Sequence, residues 1–503
     1  MRVIGSPCGP ASPGRHPLVG QWGLAAARGP VQPLKASSPV TVPEGRLSRF
    51  SREARALLLL AGPIIGSQVV QLLAGLIDIL MSGRAGAAEQ AVVGLGVAIW
   101  IPVGVALMSV VQAISPIVAR HFGADDKPAI VHDTHQALWL ALVLGVLPVL
   151  ALPWARDLMH LTHVPPELVG KTMRFLLGIS LGLPAMMMFR TLSFYSSSLN
   201  HPAPTLVLGL VGLISNGVFN HALIGGHWGL PRLGGAGCGW ATGIGMWISL
   251  VLMGLYTARS SRYEGVRLLR SFAWPRWADQ QRLLRLGLPM GAAVLAEVAA
   301  FTGVALLVAP LGARAIAAHQ CGLNLASMAF MLPMGLSAAI SIRVGQALGA
   351  GDATGARFSA RSGLALALLL AIVVSPLMAA LRDPIAQMYS PDAQVQALTV
   401  KLVLFAAAWH WADALQVCAI GALRGYHVTF SPMVLVLLAY WALAIPLGYD
   451  LAHRGALPWG LQPAGLYGYW IGLLSGLVFA ALTLSIMLHR VIGRSHAAVR
   501  AAG

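Results

Sequence analysis

The sequence predicts an all-α integral membrane protein whose twelve transmembrane helices form two parallel six-helix repeats, one per lobe. Three observations predict it. Hydrophobic residues make up 57% of the chain and charged ones 10%, with a mean hydropathy of +0.73, a balance no soluble domain of 503 residues tolerates. The apolar residues gather into twelve runs, each long enough to cross hydrocarbon at about 1.5 Å of helical rise per residue. The second half of the chain repeats features of the first at a constant offset.

Residues 1–45 are rich in Pro, Gly, Ala and Ser and hold no continuous apolar run. They read as a disordered basic leader rather than a cleavable signal peptide. Apolar runs near 56–81, 91–117, 137–153, 175–190, 204–225 and 237–257 then build an N-terminal lobe over 46–258. A basic loop follows at 259–281, and Arg259, Arg262, Arg267, Arg270 and Arg276 fall in it. Runs near 286–311, 315–342, 363–381, 402–423, 431–452 and 466–488 build a C-terminal lobe over 282–490, leaving a tail at 491–503.

Assigning the loops alternately to two sides, and setting the leader aside, gives one side more than twice the Lys and Arg of the other. That asymmetry places both termini in the cytoplasm. The formal charge of +17 is therefore topogenic and lipid-facing, and no nucleic-acid partner is expected. Cys8, Cys238, Cys321 and Cys418 are dispersed and suggest neither a disulfide framework nor a metal site.

Shifting the chain by 226 residues, the distance from Pro63 to Pro289, brings other features into register. Gly86-Ala87 meets Gly312-Ala313, Ala113-Ile114-Ser115 meets Ala339-Ile340-Ser341, Gly123-Ala124 meets Gly349-Ala350, and Asp126 meets Asp352. One offset held over about 65 residues signals a duplication. Six spans per half is an even number, so the repeats run parallel, and such folds bind substrate between their halves near the midplane.

Charge inside a bilayer is costly, so an acid within an apolar run needs a task. Glu297 sits near the middle of a stretch from Leu286 to Leu311 that holds no other charge. Asp413 shares a helical face with His410 and Gln416. Asp78 lies on a polar seam with Ser67, Gln71 and Ser82. No Lys or Arg falls at the centre of any of the twelve runs, so the acids are expected to take a proton, a metal ion or a cationic ligand. Phe301 and Phe330 are candidate aromatic faces for such a cation. His319 and Gln320 read as packing residues, and the Trp pair around His410 as an interfacial belt. Gly170-Lys171-Thr172 resembles the tail of a phosphate loop, but Pro165 stands where the first glycine is needed and a strand is lacking, so an ion gradient is the expected energy source.

At these residues the chain resembles a known family. The segment from Pro63 through GLIDILMSGRAG, the repeat copy GLPMGAAVLAEVAAFTGVALLVAPLGARAIAAHQ, the stretch from Asn216 and Asn220 to LPRLGGAGCGWAT, and DALQVCAIGALRGY are similar to the multidrug and toxic compound extrusion family. The likeness is to its NorM-like bacterial branch and runs over about residues 46–490. It implies a V-shaped pair of lobes in the bacterial inner membrane, acting as a monomer, that exports organic cations in exchange for inward Na⁺ or H⁺ without a cofactor. It carries the essential acids onto Asp78, Glu297 and Asp413, with Glu297 and Asp413 as Na⁺ ligands if Na⁺ is the coupling ion. Gln71, Gln416, Asn216, Asn220 and His410 are the expected supporting polar groups. Phe330 stands where this branch often has Tyr. The competing readings are a lipid-linked sugar flippase of the same superfamily, which calls for basic cavity residues, and a membrane-embedded enzyme, which calls for clustered His, Asp or Ser.

Overall fold

In the computed structural model, which describes residues 46–454 and 465–502, twelve helices are long and apolar enough to span a membrane. The expected leader and Cys8 lie outside the described residues. The first six spans are α1 (Leu47–Ala85), α2 (Ala87–Gly123), α3 (Lys127–Leu150), α4 (Pro166–Ser198), α5 (Ala203–Gly225) and α6 (Ala236–Arg259). The second six are α7 (Trp277–Leu311), α8 (Ala313–Gly349), α9 (Ala353–Ala380), α10 (Ala393–Gly425), α11 (Phe430–His453) and α12 (Leu466–Ser495). Many run past the apolar stretches that announce them, because capping and buried polar contacts extend helix beyond the hydrocarbon.

The duplication is visible in the backbone. Gly86 and Gly312, at φ 133° and 99°, break the chain between the first and second helix of each half, a conformation that a side chain resists. Asp126 and Asp352 are the matched N-caps of α3 and α9, accepting from the amides of Ala129 at 3.1 Å and Gly355 at 2.7 Å. The repeat mates Gly123 and Gly349 form a reciprocal seam between α2 and α8. A Cβ on Gly123 would strike the carbonyl of Gln346, and one on Gly349 the carbonyl of Arg120. Such contact of i with j and of j's mate with i's mate marks a pseudo-twofold axis. Small residues are what let helices approach without a hydrophobic drive in lipid.

The first and seventh helices cross between the halves. Leu57, Leu60 and Ala61 of α1 are buried in the core of the C-terminal half, whereas Leu283 of α7 belongs to a core of the N-terminal half. Gly287 and Gly291 of α7 abut Val110 and Ala106 of α2, and Gly335 of α8 abuts Ile65 of α1. Beyond Pro63 and Pro289, which lie inside these helices, each returns to its own half: Val70 meets Gly209 of α5, and Ala300 and Val304 join the C-terminal core. Proline inside a helix removes a hydrogen bond and permits the bend that such a crossing needs.

Polar contacts close the halves against each other on the side carrying the α2–α8 seam. Arg343 of α8 donates to both carboxylate oxygens of Glu53 on α1, at 3.0 and 2.6 Å, and Ser359 adds a third bond at 2.7 Å. Arg282 of α7 pairs with Asp133 of α3, which also accepts from His121 at 2.9 Å. Gln346 donates to the carbonyl of Ser198 at 2.9 Å.

Candidate functional site

Glu297 is carried back into the C-terminal half by the crossing of α7. There Tyr440 of α11 donates its hydroxyl to Oε1 of Glu297 at 2.8 Å. Tyr440 falls in a π-helical stretch, Leu438–Ala444, and the wider turn re-aims side chains that a regular helix would point elsewhere. The neighbouring Trp441 donates its indole N–H to the carbonyl of Ala296 at 3.0 Å, pinning α11 to α7. Asp413 and Gln416 on α10 are buried, Gln416 fully. Asp413 lies within range of the Glu297 charge. Gln416 stands within hydrogen-bonding range of the Tyr440 hydroxyl. Phe301, one turn beyond Glu297, packs on Tyr440 at 5.7 Å and on Trp409 at 5.9 Å between ring centroids. Two carboxylates, a phenol and a buried amide thus converge on one small volume. Such a set can hold a hard monovalent cation, or a proton, between oxygens.

Asp78 forms a separate cluster inside the N-terminal half. Its Oδ1 accepts from Asn220 at 2.6 Å and Asn216 at 3.2 Å, and its Oδ2 from Thr242 of α6 at 3.2 Å. Asn220 also donates to Asn216 at 3.1 Å. Asp78 thus lies in the other half from Glu297 and Asp413, with its carboxylate turned into its own lobe, where α5 and α6 supply the donors. The seam on α1 is partial. Ser67 and Ser82 bond to carbonyls of their own helix, while Gln71 is exposed and accepts from Arg190 of α4.

That contact overturns a second expectation. Helix α4 runs to Ser198 rather than stopping near 190, so Arg190 lies within a span. Arg424, near the end of α10, also points inward, within range of Glu297, and donates to Gln112 of α2 at 3.4 Å. The interior is therefore acidic at its sites but not free of cations.

Among the remaining candidates, His410 is buried and makes no hydrogen bond to Asp413 among the described residues. Trp409 is not an interfacial belt residue: it is buried and stacked on Trp470 at 4.8 Å, because α10 extends well to either side of it. His319 is a packing residue, fully buried and accepting the indole N–H of Trp470 at 3.1 Å, whereas Gln320 is exposed. Phe330 is half-buried and has no ring partner among the described residues. Sequence reasoning missed Thr242, Tyr440 and the inward Arg190. Thr242 closes the quoted GCGWAT stretch and Tyr440 is an aromatic hydroxyl amid apolar residues, but only packing shows which polar groups face the acids.

A duplicated twelve-helix bundle with an internal carboxylate cluster in each half defines a polytopic membrane protein of the transporter type. The MatE family model matches residues 63–221 and again 289–449, opening on the prolines that the repeat brings into register, and the chain belongs to this multidrug and toxic compound extrusion family. It is 42% identical over 450 residues to the multidrug resistance protein PmpM of Pseudomonas aeruginosa, covering 89% of this chain and 94% of that one. It is 40% identical to a probable multidrug resistance protein NorM of Chromobacterium violaceum, covering 88% and 96%. Its fold matches that of the eukaryotic MATE transporter AtDTX14 with a TM-score of 0.78 at 20% identity, over 90% of this chain and 99% of the other.

Proposed function

We propose that the protein is a secondary active multidrug efflux antiporter, exporting organic cations in exchange for inward Na⁺ or H⁺ by alternating access between its lobes. The observation that carries this reading is the convergence of Glu297, Asp413, Tyr440 and Gln416 near the middle of a helix that crosses between the halves. Two carboxylates in a low-dielectric interior do not both stay ionised without compensating charge. A drug cation against Phe301 and the carboxylates, or a coupling ion among the oxygens, supplies that charge. The two occupants exclude each other, and only such differential binding couples two gradients. Because α7 packs on both halves, occupancy near Glu297 is mechanically tied to how the lobes sit. No cofactor beyond the coupling ion enters this scheme.

The bacterial relatives named as multidrug resistance proteins support the substrate class, and the loop charge asymmetry supports an inner-membrane protein with both termini cytoplasmic. Arg190 and Arg424 reopen the flippase reading, since they supply basic side chains inside the bundle. Each, however, is engaged by a glutamine, Gln71 or Gln112, and the carboxylate pair favours a cation. The test is ethidium or norfloxacin efflux from reconstituted vesicles under a pH gradient and a Na⁺ gradient imposed separately. Glu297→Gln and Asp413→Asn are each expected to abolish gradient-driven efflux. Wild-type rates in both would sink the mechanism.

A further inference from the structure

The loop between the lobes does more than set topology. Its residues fold over the start of α3 and form an open cavity of about 630 Å³. Lys127, Arg267, Arg270 and Arg276 line it, with His132 and His135, and no carboxylate does so among the described residues. The nearby acids are committed elsewhere: Asp279 accepts from His132 at 2.9 Å, Asp133 pairs with Arg282, and exposed Asp125 lies 3.7 Å from Lys127. Among the described residues no carboxylate pairs with Arg267, Arg270 or Arg276, and the buried Nε–H of Arg267 has no partner. Three arginines without a carboxylate partner among the described residues thus face one space, beside a Lys127 that is paired only with exposed Asp125.

The cavity is held in shape. Gln136 of α3 donates to the carbonyl of Trp274 at 2.8 Å and accepts from the amide of Arg276 at 2.9 Å, so the loop cannot simply collapse its cations into solvent. Trp139 stacks on Trp274, with Phe272 edge-on to both. The same loop exposes Leu269 at 82%, Phe272 at 64%, Trp274 at 71% and Trp277 at 70%. Side chains of this kind beside a basic cluster are what the headgroup region of a bilayer accommodates. The residue after Arg276, Trp277, borders a second cavity of about 410 Å³ that is mainly apolar, walled by Leu284, Leu288, Pro289 and Phe430 with Gln281 and Arg285 beside them. Consecutive residues therefore border a basic cavity and an apolar one, the order in which a phospholipid presents its phosphate and its chains.

We propose that this cavity is a binding site for the phosphate headgroup of an anionic phospholipid of the adjoining leaflet. Its walls come from α3 and from the inter-lobe loop up to Arg276, the residue before α7, so an occupant tethers the loop to the N-terminal half. A free inorganic anion would satisfy the three arginines but not the exposed aromatic rim, and a nucleic acid would not need the apolar cavity alongside.

The experiment is native mass spectrometry of the full chain in mixed micelles with equal phosphatidylglycerol and phosphatidylcholine. The wild type is expected to retain phosphatidylglycerol by roughly tenfold or more over phosphatidylcholine. Arg270→Gln/Arg276→Gln is expected to bring the two lipids near parity, whereas Arg454→Gln, a charge removed elsewhere, leaves the preference intact. If the double glutamine variant fails to fold, Arg270→Gln alone, at an exposed position, must still lower the preference. An unchanged preference in the variants overturns the site. Displacement of the lipid by millimolar inorganic phosphate, or stronger retention of a short oligonucleotide, overturns the lipid assignment. The readout is binding, so it stands or falls independently of efflux.

Discussion

The pair of Glu53 and Arg343 offers a measurable account of how the halves are held. Glu53 lies on the part of α1 that packs in the C-terminal core, and it receives two bonds from Arg343 and one from Ser359. Breaking a fully buried pair from one side costs about 3–5 kcal/mol. Here the carboxylate side chain is 11% exposed but the guanidinium 31%, so solvent offsets part of the loss. We expect a coupling energy of about 2 kcal/mol, between an exposed pair and a buried one. The assay is a double-mutant cycle on Glu53→Gln and Arg343→Gln, read by thermal or denaturant unfolding in detergent. Either single variant should lose about 2 kcal/mol, and the double variant little more than one of them. A coupling energy below about 0.5 kcal/mol would refute the reasoning and reduce the pair to a solvent-screened contact.

Other outcomes follow from particular contacts. Gly349→Leu should cost about 1–3 kcal/mol, seen as a lower Tm, because its side chain meets the Arg120 carbonyl; an unchanged Tm would mean the seam is loose. Asp78→Leu leaves the Asn216, Asn220 and Thr242 donors without their acceptor and should lose about 2–3 kcal/mol, whereas Asp78→Asn, which keeps one oxygen, should lose about half as much. Tyr440→Phe keeps the ring packing but removes a hydrogen bond to a carboxylate of about 1.5–3 kcal/mol, so the coupling-ion concentration for half-maximal efflux should shift by tenfold or more; no shift would detach Tyr440 from coupling. His427, in the α10–α11 turn, is held down to about 4 by burial and by Arg120. The unfolded chain takes up that proton first as pH falls, so stability is full above about pH 6.5 and falls by up to about 1.4 kcal/mol per pH unit toward pH 4. His427→Asn, which keeps a residue tolerant of the positive φ and matches Asn200 at the equivalent turn, should flatten that acid limb of the Tm profile.

The sequence by itself determined the membrane class, the twelve spans and the repeat. These rest on hydropathy and on identities at a fixed offset, both properties of the linear chain. It also singled out Glu297, Asp413 and Asp78, since an acid in an apolar run is anomalous whatever its neighbours. Neighbours were the part it did not contain. That Tyr440 reaches Glu297 depends on a π-helical turn in α11. That Asp78 is held by α5 and α6 depends on where Thr242 and the two asparagines fall in three dimensions. Arg190 escaped notice because helix α4 outlasts its apolar run, and an end read from hydropathy marks where lipid stops, not where the helix does. The exchange of α1 and α7 between the halves was decided by tertiary packing alone, because glycine contacts and prolines specify a crossing only once the partner helices are in place.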